Sequence, residues 1–163
     1  MVSNEIHHRT GDRRSRLYRI TAVVLRRRSL GESDRILTVF SREVGKHRLV
    51  AKGVLRPGSK LAGHCEPFMV TNMMLARTRS LPILSQAETE RAFPKLRTEE
   101  RRIAAASLMA ECVDSLTGED ESQPGIFDLL VSSLELLELG ADPEKVQIIF
   151  EQLLLREAGY RPE

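Results

Sequence analysis

The run Y-R-I-T-A-V-V-L-R-R-R, Tyr18–Arg28, decides the class of fold. It is rich in Ile, Thr and Val, which suit a pleated surface, so it reads as a β-strand. Its centre, Ala22-Val23-Val24-Leu25, is apolar at both alternating positions. Side chains two apart share a strand face. Both faces must therefore be covered, as in a small barrel or a covered sheet. At the end of the run, Arg26 and Arg28 share a face and Arg27 points to the other, so the triplet does not act as one patch.

Working outward, Gly31-Glu32-Ser33 turns the chain into D-R-I-L-T-V-F-S, a second strand over Asp34–Ser41. Glu43-Val44-Gly45 turns it again into a third, Lys46–Lys52. Segments joined by such short turns make an antiparallel meander. Pro67 interrupts any strand through Leu61–Pro67. A fourth strand is expected over Phe68–Ala76, a basic hairpin tip over Arg77–Leu81, and a fifth strand over Ile83–Glu90. Five short strands with regular turns fit a five-stranded OB-fold barrel, with an SH3-like barrel as the main competitor.

The periodicity changes at Pro94. Thr98-Glu99-Glu100 offers a cap and first-turn acids, and Ile103, Ala106, Ala110, Val113 and Leu116 recur at helical spacing. Pro124 opens a second helix with Ile126, Phe127, Leu129, Leu130, Leu134 and Leu137 on its apolar face. Asp142-Pro143 opens a third with Val146, Ile149, Phe150, Leu153 and Leu154. Three helices bury a small core on their own, so they are expected to dock on the barrel or to need further chain. Glu119–Gln123, between the first two, reads as an acidic linker whose carboxylates form a solvated surface. The whole is an α+β chain: a basic disordered arm over residues 1–16, an OB-fold over 17–93, and an all-α unit over 94–163. The arm suits equally a start-site extension with no role.

Charge divides the chain in the same place. Residues 1–93 carry 18 Lys/Arg against 8 Asp/Glu, net +10, whereas residues 94–163 carry 7 against 15, net −8. The basic half suits a polyanion and the acidic half does not. Within the basic half the stretch G-K-H-R-L-V-A-K-G-V-L-R-P-G-S-K, Gly45–Lys60, holds five cations and no acid. Lys46, Arg48 and Lys52 are expected on one strand face, with Arg56 and Lys60 arriving from the loop that follows. Such a surface suits a phosphate backbone. The same residues also suit a solvated edge strand that its lysines keep from aggregating. This half has no Trp, and its aromatics are Tyr18, Phe40, Phe68 and Phe93. They read mostly as core, so nucleic-acid contact would rest on charge more than on base stacking.

Other chemistries find little support. Cys65 and Cys112 are far apart and form no C-x-x-C, so they read as reduced cytosolic thiols. His7 and His8 lie in the arm, and His47 and His64 lack metal-ligand spacing. There is no P-loop and no G-x-S-x-G. The start of the chain has no secretory h-region, and no run is apolar enough to span a membrane. Neither an enzyme nor a cofactor is expected.

Four segments carry a resemblance. They are A-V-V-L-R-R-R-S-L-G-E-S-D-R-I-L-T-V-F-S at Ala22–Ser41 and G-K-H-R-L-V-A-K-G-V-L-R-P-G-S-K-L-A-G at Gly45–Gly63, then G-I-F-D-L-L at Gly125–Leu130 and F-E-Q-L-L-L-R-E-A-G-Y-R-P at Phe150–Pro162. In order and spacing they resemble the RecO family of bacterial DNA repair proteins, the recombination mediators, from Tyr18 to Pro162. The resemblance implies an OB-fold followed by a helical domain. It implies binding of single- and double-stranded DNA without sequence preference, annealing of complementary strands, and help in loading the recombinase onto strands coated by single-strand-binding protein. It implies RecR and the C-terminal tail of single-strand-binding protein as partners, in the bacterial cytoplasm at the nucleoid. Family members commonly continue into a Cys-rich zinc segment after G-Y-x-P. The sequence ends at Glu163, so the zinc element is expected to be missing from these residues and the helical domain to be incomplete. The expected DNA-binding residues are Arg26, Arg28, Arg35, Lys46, Arg48, Lys52, Arg56 and Lys60. The alternative is an adaptor whose basic barrel binds an acidic partner tail, with DNA contact incidental.

Overall fold

A computed structural model describes residues 16–160. The arm expected over residues 1–16 lies, but for Arg16, outside them. The first strand, β1 (Leu17–Leu30), is the longest of five. It pairs antiparallel with β2 (Asp34–Ser41) on one side and β4 (Val70–Ala76) on the other. β3 (Gly45–Ala51) pairs antiparallel with β2, and β5 (Ile83–Arg91) with β4. The ring closes in the order β1-β2-β3-β5-β4. This is the OB-fold and not the SH3-like alternative. The closure is thin, because β3 and β5 pair in parallel only at Val50↔Ile83.

Burial on both faces of β1 follows from its sequence. Ile20, Ala22 and Val24 point into the barrel with Leu37, Val39 and Leu49. Val23 and Leu25 point outward, and with Phe40, Val70 and Phe93 they join a second core that the helices complete. Between Val24 and Arg26 the pairing with β2 shifts by one residue, a bulge with Leu25 as the extra residue. Beyond it Arg26↔Thr38, Arg27↔Leu37 and Arg28↔Ile36 alternate across the sheet.

Three helices follow: α1 (Glu100–Leu116), α2 (Pro124–Glu138) and α3 (Pro143–Glu157). Pro124 and Pro143 occupy first-turn positions, and the Asp142 carboxylate caps α3 by accepting from the Glu144 and Lys145 backbone N–H groups. The helices dock on the outer face of β1 and β2, burying Ala106, Met109, Val113, Phe127, Leu130 and Phe150. Polar ties reinforce the joint. Arg42 of the barrel pairs with Asp128 at 2.7 Å and lies over the Phe127 ring. Arg91 pairs with Glu135 at 2.5 Å, and the Lys46 ammonium donates to the Asp114 carbonyl at 2.8 Å and carboxylate at 3.2 Å.

Several boundaries differ from the sequence reading, each for a local reason. β3 ends at Ala51, so Lys52 leaves the strand and does not share the face of Lys46 and Arg48. β4 begins at Val70 because Phe68 takes a left-handed backbone, φ 65°, that a strand does not continue through. Thr98 does not cap α1: its hydroxyl donates to the Lys95 carbonyl within a 3₁₀ turn, and α1 starts after Glu99. On α1, Ala105 and Met109 are buried while Ile103 is exposed. On α3, Ile149 and Leu153 are exposed.

Three outcomes are expected. Phe40→Ala should cost about 3–5 kcal/mol, the range for a buried aromatic. Because Phe40 belongs to the shared core, strand and helix signals should unfold together in urea. Lys46→Ala should cost about 1–3 kcal/mol, since it strips a half-buried carboxylate of its ammonium, while Arg56→Ala on the exposed loop should stay within about 0.5 kcal/mol. Cys65 is buried, and burial, with Glu66 beside it, pushes its thiol up to about 11. At pH 8 it should resist iodoacetamide in the native protein and react only after unfolding, as mass spectrometry of the alkylated peptides would show.

Candidate nucleic-acid interface

The strand register places the expected cations in three settings. Arg26, Thr38 and Arg48 form one row across β1, β2 and β3, with Lys46 two residues along β3 on the same face. This is the margin of the helix-docked face, and its cations are already engaged. Arg26 Nε lies 2.7 Å from Asp114 Oδ2, and Arg48 Nε lies 2.7 Å from Glu119 Oε1. Lys46, its side chain 13% exposed, is held by Asp114 as described.

The second setting is the end of the barrel beyond the bulge. Ser29, Arg35 and Ala51 share a row, so Arg28 and Lys52 flank it. The loop after β3 is pinned to the β1–β2 turn: the Gly53 N–H donates to Asp34 Oδ1 at 2.7 Å, and the Leu55 N–H donates to the Ser33 carbonyl at 2.9 Å. Arg56 is carried there with it, its backbone N–H closing a turn onto the Gly53 carbonyl. Arg28, Arg35, Lys52 and Arg56 make no salt bridge among the described residues. Arg27, on the inner side of the same end, pairs with Glu66 at 3.1 Å.

Lys60 belongs to neither group. It borders a hollow of about 730 Å³ over β1, β4 and β5, with Arg19, Thr21, Glu43, Asn72 and Gln86. The five cations of Gly45–Lys60 are thus spread over three settings instead of forming one surface. Arg28 and Arg35 join the loop cations Lys52 and Arg56.

Reading the sequence missed the partners. His47, which looked isolated, accepts or donates on both nitrogens: Nε2 lies 2.6 Å from the Tyr18 hydroxyl and Nδ1 2.6 Å from Asp120 Oδ1. The linker acids Glu119 and Asp120 therefore do not form only a solvated surface; they lie against β3. A hint was present in the charge pattern, since Glu119-Asp120-Glu121 closely follows α1 while the acid-free run Gly45–Lys60 begins on β3. Phe40 and Phe93 are core, and Tyr18 is half-buried with the Arg77 guanidinium 4.2 Å above its ring. No row of exposed aromatics faces outward with these cations. Among the described residues no three His, Cys, Asp or Glu side chains gather as metal ligands: Cys65 is in the barrel core, Cys112 is on α1 beside Glu151, and His64 is bonded to Thr89. No helix among the described residues is long and apolar enough to cross a membrane.

Comparison with known proteins matches both parts. Residues 15–93 fit the family model "Recombination protein O N terminal", and residues 97–163 fit "Recombination protein O C terminal". The chain is 36% identical over 148 residues to the DNA repair protein RecO of Desulforamulus reducens, covering 91% of this chain and 57% of that protein. It is 42% identical over 147 residues to the protein of the same name from Pelotomaculum thermopropionicum, covering 90% and 57%. Against that of Roseiflexus sp. it is 39% identical over 150 residues, covering 92% and 53%. The chain thus spans little more than half the length of these relatives. With both family models matched in order and relatives of that name 36–42% identical over about nine-tenths of its length, this chain belongs to the recombination protein O family of DNA repair proteins.

Proposed function

We propose that this chain binds single- and double-stranded DNA through its barrel, without sequence preference, and promotes annealing of complementary strands. The observation that carries this reading is the cation group at one barrel end, Arg28, Arg35, Lys52 and Arg56, which has no salt bridge among the described residues. Those side chains project from a strand end, a turn and a loop, and meet phosphates as they come, with no exposed aromatic row to read bases. Annealing needs the charge of two strands neutralised, which is screening and not bond chemistry. We therefore assign no catalytic residue and no cofactor. In the repair setting of the family, the same contacts would assist recombinase loading on strands coated by single-strand-binding protein, with RecR and that protein's C-terminal tail as partners, at the bacterial nucleoid.

A second reading has its own support. The β3 edge already accepts an acidic extended segment, since Glu119 bridges Lys46 and Asp120 contacts His47. An adaptor that takes an acidic tail from another protein would use the same chemistry, with DNA contact incidental.

Titration of a fluorescent oligonucleotide against salt tests the first reading. Four or five phosphate contacts on a single strand give a log–log slope of about −3. The variant R28A/R35A/K52A/R56A should flatten that slope towards zero and weaken all sequences alike. Parent-like binding by this variant would assign DNA elsewhere. Loss of a labelled acidic peptide with DNA binding retained would favour the adaptor.

A further inference from the structure

We propose that the link between α1 and α2, Gly118–Ser122, is a built-in competitor that covers part of the cationic face of β3 and is displaced by a polyanion. The proposal rests on the DNA-binding reading and adds its regulation.

The link could have crossed solvent, yet it is laid along β3. β3 pairs with β5 only at Val50, so the edge at Gly45–His47 is left without a strand neighbour. Glu119 makes a parallel bridge to Lys46 there, and the Asp120 N–H donates to the Lys46 carbonyl at 2.8 Å. Residue 45 must be glycine for this approach: a Cβ on it would stand 1.8 Å from the Glu121 carbonyl oxygen, and its φ is +69°. The strap's carboxylates then meet β3 side chains in turn, Glu119 on Arg48 at 2.7 Å and Asp120 on His47 Nδ1 at 2.6 Å. Asp114, in the last turn of α1, holds Arg26 and Lys46 beside them. Carboxylates thus occupy the places where phosphates would neutralise this row.

The contact is built to open. Glu119 and Asp120 side chains are 47% and 65% exposed, and Arg48 is 43% exposed. Exposed pairs of this kind contribute little and are screened by salt. Asp120 also sits at φ 58°, a left-handed conformation uncommon for a residue other than glycine. Lys46 and Asp114, by contrast, are mostly shielded and hold α1 to the barrel when the strap lifts. Opening therefore exposes Arg48 and His47 and leaves the helical core in place.

The test is oligonucleotide affinity as a function of salt for the full chain and three isosteric or truncating variants. E119Q/D120N should bind roughly fivefold to tenfold tighter than the parent at low salt, with a slope steeper by about 0.7 for the one phosphate that Arg48 gains. E111Q/E157Q, which removes the same charge from exposed positions on α1 and α3, should gain less than about twofold. Adding R48A to E119Q/D120N should return the slope to the parent value. In the parent, saturating oligonucleotide should accelerate hydrogen exchange at the Asp120 amide. Equal gains from both charge pairs, a strap variant that binds like the parent, or an Asp120 amide that stays protected under DNA would each overturn the strap while leaving DNA binding intact. Absence of binding by parent and strap variant alike would overturn the DNA reading, and the strap with it.

Discussion

A strand that must hide both of its faces constrains everything around it. In β1, one set of alternate side chains fills the barrel and the other set, Val23 and Leu25, is left on the outside. Apolar area removed from water stabilises by about 25 cal/mol per Å², so exposed β-branched and leucine side chains on a barrel wall demand a cover. The three helices supply it, and their own small core is completed by Phe40, Val70 and Phe93 of the barrel. Barrel and helices therefore share one of the molecule's two cores, although their sequences look like two separate units.

The same joint explains how a chain with halves of opposite sign holds together. The acidic half faces the basic half across it, with Arg42 on Asp128, Arg91 on Glu135, Lys46 on Asp114 and Arg48 on Glu119. Most of these pairs are exposed and add little individually. Their larger effect is to decide which cations stay available. Of the barrel cations left without a salt bridge among the described residues, Arg28, Arg35, Lys52 and Arg56 gather at the barrel end made by the β1–β2 turn and the loop after β3.

Much of this architecture was legible because it is written in short-range patterns. Asp34–Ser41 has the same bounds as a sequence pattern and as a strand, and the prolines at 124 and 143 mark both helix starts. The two-sided burial of β1 was readable from Ala22–Leu25 alone. What was not readable depends on elements far apart in the chain. No periodicity shows that Asp120 will reach His47, 73 residues away, or that Asp114 will reach Lys46, 68 away. The face shared by Lys46, Arg48 and Lys52 failed on one residue of strand length. Ile149 and Leu153 have the helical spacing of core residues but lie at the edge of the stripe, where the packing angle of α3 decides which side turns inward.

The bulge at Leu25 has a geometric consequence for the charge pattern. Without the extra residue in the ladder, Leu25 would face Thr38, and each arginine after it would move one step along β2. Arg26 and Arg28 would then point into the barrel, and Arg27 alone would look outward. One unpaired backbone position thus sets how much positive potential this wall presents to its surroundings. A lineage could invert the polarity of the wall by losing or gaining a single residue, with every arginine kept.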